Sequence, residues 1–549
     1  MPEPKRRRRA LHMLVLFAVI FGLLFSRVFY LQVIQAEELQ QKASGQWVRN
    51  KPLTPIRGTI TDRNGEILAQ SGTADTVMLR PKQIKQSKVN TEAEPEKAAN
   101  MVADILSPIL EMEREKIYSV AVDDSKSEVW LKRQLSKEQA NAVREAISQY
   151  NLPGIAFTQD AKRYYPKGNF LTQVLGFTSV DGNGLEGLEA YYNKYLTGEE
   201  GKVSQESDLW GNAIAFGSEY LIPTTDGYTL TLTIDFSIQS YLEKAAEQAY
   251  EEFNAKGVWA IAMDPQTGEI LALVNKPDYD LNTPPRDDAE ALSAQSRNRI
   301  VTDYYEPGSV FKMFTTAAAL EEGKVSTGST FQCTGGRTVN GERIKCWSNH
   351  AGTLTLADAV AKSCNPCFID MVRSMGVDTF YRYIHLFGFG EKTGVDATGE
   401  STGYVRDASG VRENDLARNG FGQAIGVTPI QMITAASSLL NGGTLYEPHL
   451  VKQVRDTSGE VVEDIQPEAK GQTISKATSD TMRTLLEGAG DPIRVDGYRV
   501  GGKSGTAQKY DENGQVMKNK HISSYLGFAP VDNPQIAVLF IVDEPETVG

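Results

Sequence analysis

Cysteine and histidine are both scarce here: 549 residues contain four of the first and five of the second. Four cysteines cannot staple a chain of this length, so its core must rest on apolar burial rather than on a disulfide framework. The histidines, His12, His350, His385, His449 and His521, show no metal-ligand spacing, which argues against zinc-dependent hydrolysis. Basic stripes are missing beyond the first ten residues, and a net charge of −13 argues against a nucleic-acid partner. The remaining composition, 40% hydrophobic and 23% charged, is that of a globular protein, and the length calls for two or three domains.

Long apolar runs are also absent, except at the start. Lys5 to Arg9 is an unbroken basic block, and Ala10 to Phe25 contains His12 as its only polar residue. Val28 to Leu31 lengthen the run, with Arg27 able to snorkel. The positive-inside rule predicts residues 1–9 in the cytoplasm, 10–31 across the membrane and the rest outside. No Ala-x-Ala-like cleavage site follows, so the anchor is expected to be retained.

A short polar stalk is expected over 36–44. Arg57 to Ala69 alternates around an Arg63-Asn64-Gly65 turn, the pattern of a β-hairpin. Residues 91–150 turn to Glu, Lys and Ala at helical spacing, a helical insertion without convergent catalytic groups. Arg163-Tyr164-Tyr165-Pro166 and Gly184 to Glu189 are dense in Gly, Glu and aromatics and read as structural. A turn-rich linker, Pro223 to Gly227, is the expected boundary between a module at 45–222 and a second domain at 225–549. There, a strand at Thr229–Ile234, an amphipathic helix at Phe236–Phe253 and an apolar hairpin at Gly257–Val274 should form one side of a sheet. Three strands near the end, Tyr498–Gln508, Ile522–Ala529 and Gln535–Val542, should meet that sheet in an α+β layer.

Between these strands lie three short motifs. After the Glu306-Pro307-Gly308 turn, Ser309 falls at a helix start with Lys312 one turn later, on the same face. A serine hydroxyl becomes a nucleophile when something removes its proton, and a neutral lysine can do so. Ser363-Cys364-Asn365 precedes Pro366 and belongs on a loop between helices. Lys503-Ser504-Gly505-Thr506 reads as a strand with Ser504 and Thr506 on one face and Lys503 on the other. Two hydroxyls and an ammonium suit a carboxylate, and Gly505 would let a ligand backbone approach closely. Singly, each motif has a plain structural alternative, a helix cap or a turn. In the order Ser-x-x-Lys, Ser-x-Asn, Lys-Ser-Gly they match the signature of penicillin-binding proteins and serine β-lactamases.

Along its whole length the chain resembles class B penicillin-binding proteins, membrane-anchored D,D-transpeptidases that cross-link peptidoglycan. Arg299 to Gly308, Gly420 to Gln423 and Val427 to Gln431 carry the resemblance beside the three motifs, and Arg57 to Gly65 with Gly184 to Glu189 carry it in the first module. It implies an α+β protein with a transmembrane helix, an elongated β-rich pedestal of the dimerisation type, and a transpeptidase domain whose antiparallel sheet is flanked by helices. It also implies a further helix beyond Gly549, so a truncated C-terminus is expected. By resemblance, Ser309, Lys312, Ser363 and Lys503 are catalytic, and Asn365, Ser504, Gly505 and Thr506 bind substrate. The resemblance also implies an oxyanion hole made of the backbone N–H groups of Ser309 and Thr506. Lys312 is expected to be kept neutral by like-charge repulsion from Lys503, with desolvation acting in the same direction.

The expected ligands are D-Ala-D-Ala stem peptides and β-lactam inhibitors, with no cofactor, no metal and no nucleic acid. Because no glycosyltransferase segment is recognisable, a separate membrane glycosyltransferase is the expected partner. The rival activities are a β-lactam sensor, a β-lactamase and a non-catalytic scaffold; within the family the choice is between septal and spore-wall synthesis, with a lean toward the stage V sporulation type. Cys364 departs from a plain motif. With Cys367, and with Cys333 and Cys346 as another near pair, it is expected to be an inert thiol, against the alternatives of a redox switch or a zinc site.

Overall fold

The computed structural model describes residues 4–36, 38–39, 48–206, 219–348, 350, 352–489, 495–510 and 516–546. The first helix, Pro4–Phe29, runs on through a single π-turn, Tyr30–Ile34. Within it, Leu11–Ile34 is an apolar span of 24 residues with mean hydropathy 2.3. At about 1.5 Å per residue that is long enough to cross a bilayer core. The expected stalk, beyond Ala36, Glu38 and Leu39, lies outside the described residues.

Packing divides the chain into two units. Met1–Pro55 with Gly198–Asp226 forms the first, whose sheet has three antiparallel strands, Val48–Leu53, Gly201–Glu206 and Glu219–Ile222. Ile56–Thr197 with Gly227–Gly549 forms the second. Of the module expected at 45–222, residues 56–197 pack in one unit with the motif-bearing chain.

The sheet that carries the third motif has five antiparallel strands in the order Ile270–Lys276, Gly257–Met263, Ile536–Asp543, Val516–Ala529, Gly501–Tyr510. The early hairpin and the three late strands therefore meet, as their apolar patterns predict. Gly257–Met263 is buried throughout because both faces are covered. Val258, Ala260 and Ala262 pack with Leu242 and Ala246 of the helix Phe236–Glu252, while Trp259, Ile261 and Met263 join the main core on the other face. Asp235 caps that helix, accepting from the N–H groups of Ser237 and Ile238 at 2.9 and 3.1 Å. In the main core lie two helices with almost no exposed residue, Lys312–Glu321 and Pro429–Leu440, the latter closed by a Thr428–Gln431 capping box.

The expected strand at Thr229 is real but belongs elsewhere. Thr229–Leu232 pairs with Val451–Arg455 and, in parallel, with Ile60–Thr61, inside a seven-stranded mixed sheet. Periodicity reveals a strand; it does not reveal which edge the strand will find. This sheet also holds the long strand Ile67–Leu79, partner of Val129–Lys132 and Ile155–Tyr164. The helices Lys97–Leu110, Arg114–Val122 and Lys137–Tyr150 build a separate core beside it.

The charged clusters of the first module converge on one buried carboxylate. Glu189 accepts from Arg57 Nε and Arg163 Nε, both at 2.6 Å, and from the Tyr165 hydroxyl at 3.3 Å. Arg57 also donates to the Glu189 carbonyl, the Gly182 carbonyl and the Asn193 side chain. Removing the charge in the middle would leave two buried guanidiniums facing each other. Glu189→Gln should therefore destabilise the second unit by about 3–5 kcal/mol, read as a lowered denaturation midpoint; an unchanged midpoint would contradict this account of the cluster.

Candidate active site

Ser309 sits in a short 3₁₀ segment, Gly308–Phe311, that leads directly into the helix Lys312–Glu321. Two glycines make this segment possible. A Cβ on Gly308, whose φ is +54°, would come within 2.8 Å of the Thr506 carbonyl, and one on Gly505 within 2.7 Å of Val310 Cγ2. Each glycine thus lets the serine turn and the strand Gly501–Tyr510 lie against each other. The role expected for Gly505 is corrected accordingly: its bare face receives the serine segment, not a ligand backbone. On the other side, Gly308 N–H donates to the Gly422 carbonyl at 3.0 Å, and Tyr305 pairs with Val427. Glu306 reaches across to accept from Ala424 N–H at 2.9 Å, and burial pushes its carboxyl up to about 7.

Lys312 is the centre of the arrangement. Its side chain is wholly buried, over the Phe368 ring, and Nζ lies 3.0 Å from Ser309 Oγ, 2.9 Å from Ser363 Oγ, 2.8 Å from the Ser363 carbonyl and 2.7 Å from Asn365 Oδ1. Either form of the amine makes three hydrogen bonds among these four oxygens. Only the neutral form, with two N–H donors for the carbonyl and amide oxygens, keeps a lone pair to take the proton of one hydroxyl. Burial, aided by the charge of Lys503, lowers Lys312 to about 7. The order matters, because like-charge repulsion from Lys503 is the smaller of the two causes. Lys503 is itself 3% exposed and lowered by burial to about 8.

Ser363 and Asn365 reach Nζ because the chain bends between two helices, Leu356–Ala361 and Asn365–Met375. Ser363 takes a left-handed φ of +52°, a conformation that costs a non-glycine residue about 1–3 kcal/mol. Trp347 holds this bend, donating through Nε1 to the carbonyls of Lys362 and Ser363 at 3.0 and 3.1 Å. Asn365 Nδ2 donates to the Lys345 carbonyl at 3.2 Å. The strand Gly501–Tyr510 alternates as predicted: Lys503, Gly505 and Ala507 are buried, Ser504 and Thr506 exposed. All eight residues singled out in the sequence thus lie on the elements around one nucleophile turn. Trp347 was missed, since it comes from an irregular stretch with no periodicity to place it.

The cysteines group more widely than their spacing. All four are free; Cys364 Sγ lies 3.9 Å from Cys346 Sγ and also meets Cys367 and Cys333, and His350 Nδ1 lies 3.6 Å from Cys346 Sγ. Burial pushes the Cys346 thiol up. His350 is thus drawn into a cluster that its position in the sequence did not foretell.

A serine paired with a buried lysine, beside a strand that offers two hydroxyls and an ammonium, defines the active-serine class of penicilloyl-type sites. Residues 258–549 match the penicillin binding protein transpeptidase domain, and residues 52–232 match the penicillin-binding protein dimerisation domain. The chain belongs to the class B penicillin-binding proteins. It is 38% identical over 550 residues to stage V sporulation protein D of Bacillus subtilis, covering 98% of this chain and 82% of that one. Peptidoglycan D,D-transpeptidase FtsI of Escherichia coli K12 is 30% identical over 540 residues, covering 97% and 86%. The crystal structure of penicillin binding protein 2X from Streptococcus thermophilus superposes with a TM-score of 0.72 at 27% identity, covering 91% and 78%.

Gly505→Ala tests the close approach of strand and serine turn. It should slow acylation of the chain by a fluorescent penicillin by at least about tenfold, since a displacement of 1 Å at a reacting group can cost 10²-fold. An unchanged acylation rate would contradict the packing role given to this glycine.

Proposed function

We propose that this chain is a penicillin-sensitive peptidoglycan D,D-transpeptidase working by a serine acyl-enzyme. The observation that carries the reading is the buried Lys312 amine within hydrogen-bond reach of Ser309 Oγ and Ser363 Oγ together. Lys312 takes the Ser309 proton as Oγ bonds to the carbonyl carbon of the penultimate D-Ala. The backbone N–H groups of Ser309 and Thr506 face the developing oxyanion, a type of contact worth about 10²–10³ in rate per donor. As the C–N bond breaks, the proton passes from Lys312 through Ser363 Oγ to the departing D-Ala amine. An amino group of a neighbouring stem then attacks the ester, and its proton returns by the same path to Ser309. Ser504 and Thr506 hold the terminal carboxylate, Lys503 adds positive charge from the buried face of the same strand, and Asn365 holds the substrate amide. A β-lactam enters as the dipeptide and stops at the acyl-enzyme.

The basic block before Leu11–Ile34 supports a cytoplasmic N-terminus, with the chain that follows the span outside the membrane. The substrate strand of glycan then comes from a separate membrane glycosyltransferase. Among wall-building roles, the similarity to stage V sporulation protein D supports spore-wall synthesis over septal synthesis. A β-lactamase or sensor would make the same acyl-enzyme, and the lifetime of the adduct separates them: a slowly released penicilloyl group is expected, and rapid turnover of penicillin would refute the transpeptidase reading.

Two outcomes test the roles. Ser309→Ala should abolish the penicilloyl adduct seen by intact mass, and a persisting adduct would remove Ser309 as nucleophile. Acylation should also depend on pH in a defined direction. Lys312 acts as base only when neutral, so the rate should rise through about pH 7. Above about 8, Lys503 loses its charge and carboxylate binding weakens, so the rate should fall again. Lys312→Met should cost about 10²–10⁴ in acylation rate and flatten the rising limb.

A further inference from the structure

The bend that carries Ser363 and Asn365 has an unassigned neighbour. Cys333 ends the strand Thr330–Cys333, Cys346 follows the strand Glu342–Lys345, His350 comes four residues on, and Cys364 stands between Ser363 and Asn365. The three sulfurs and a ring nitrogen of His350 all lie within 4.8 Å of one another. Such a gathering from four separate places in the chain is not what scattered inert thiols produce.

Two of its separations match those around one ion. Tetrahedral zinc, with Zn–S near 2.3 Å and Zn–N near 2.0 Å, sets neighbouring sulfurs about 3.8 Å apart and sulfur and nitrogen about 3.5 Å apart. The observed Cys346–Cys364 and Cys346–His350 separations are 3.9 and 3.6 Å. Three thiolates and an imidazole form a soft set, suited to zinc and unsuited to calcium or magnesium, which demand oxygen. Four protein ligands close the tetrahedron and leave no position for water or substrate, the mark of a structural site.

We propose that Cys333, Cys346, His350 and Cys364 bind one zinc ion, which fastens Cys346 and His350 to the Ser363–Asn365 bend. Binding replaces three S–H bonds by Zn–S bonds, releases three protons to solvent, and requires neither oxidant nor reductant. The ion completes a clamp that hydrogen bonds already begin. Trp347, lying against the His350 ring at 5.2 Å, donates to the Ser363 carbonyl, and Asn365 donates to the Lys345 carbonyl. Cys364 is flanked on both sides by groups that touch Lys312 Nζ. A metal bond to its sulfur therefore fixes the peptide that presents those groups, and opposes the tendency of Ser363 to leave its left-handed conformation. The four residues are positioning groups, acting through the peptide that presents Ser363 and Asn365.

The test uses the full chain in detergent, prepared with reductant and without chelator. About one zinc per chain is expected by elemental analysis. Cobalt(II) added after stripping should give the intense visible bands and near-ultraviolet thiolate charge transfer of a tetrahedral sulfur-rich site. Stripping should slow penicillin acylation by at least about tenfold, and added zinc should restore it; loss of a supporting group around a metal already costs about 10–100-fold. His350→Ala should lose the cobalt spectrum while the protein, checked by its melting transition, remains folded. Stripped wild-type chain serves the same comparison without any substitution. Failure to take up zinc or cobalt with thiols reduced would overturn the proposal, as would a native Cys346–Cys364 disulfide found by mass spectrometry. Zinc uptake with acylation unaffected by stripping would overturn the clamp. Metal content is read independently of transpeptidation, so a negative result leaves the proposed reaction standing.

Discussion

Everything around the site follows from burying one amine. A drop in the Lys312 pKa from 10.5 to about 7 corresponds to roughly 5 kcal/mol in favour of the neutral form. The sign is a cost to folding: the unfolded chain binds a proton that the folded chain gives up. This penalty is fully present below about pH 7 and disappears as pH rises through the unfolded value near 10.5. The fold tolerates it because Lys312 opens a helix whose other residues through Ala319 are buried, amid Phe311, Phe314 and Phe389, whose rings lie 5.0–5.4 Å from one another. The proposed base is therefore a product of the core, and loosening the core would return it to an ordinary cation.

The same constraint explains the glycines. An amine that must stay dry, yet touch a reacting hydroxyl, needs its serine at the rim of the core with backbone packed tightly on both sides. Gly308 and Gly505 allow this toward the strand Gly501–Tyr510. Gly422, at φ +81°, allows it on the opposite flank, where a Cβ would come within 2.1 Å of the Gly308 carbonyl. The five-stranded sheet supplies the fixed edge against which the turn is set. The Arg57–Glu189–Arg163 cluster lies in the same packing unit, so residues of the dimerisation-domain match contribute to the body that supports the site.

Much of this was legible in the sequence because its signals are local. Apolar runs and their bounding turns located all five strands of the sheet, and a Ser-x-x-Lys spacing is enough to put two side chains on one face of a turn. The eight site residues announced themselves through short motifs whose order, more than any single member, carried the meaning. What stayed hidden depends on contacts between distant segments. Nothing near Thr229 says that its strand will pair with Ile60 and Val451 rather than with Gly257. Nothing in the spacing of Cys333, Cys346, His350 and Cys364 says that they share a corner, because a loop and a helix start bring them there. Gly505 was noticed for its lack of a side chain, but only the structure shows that Val310 fills the space.

The central claim is that burial keeps Lys312 neutral near pH 7. The direct measurement is the ionisation of that side chain, followed by carbon NMR at Cε in the lysine-labelled chain and assigned by its loss in Lys312→Arg. A midpoint near 7 is predicted, moving up only modestly when Lys503 is replaced by glutamine. A Lys312 resonance that titrates near 10 would contradict the account, since the amine would then be an ordinary ammonium at working pH.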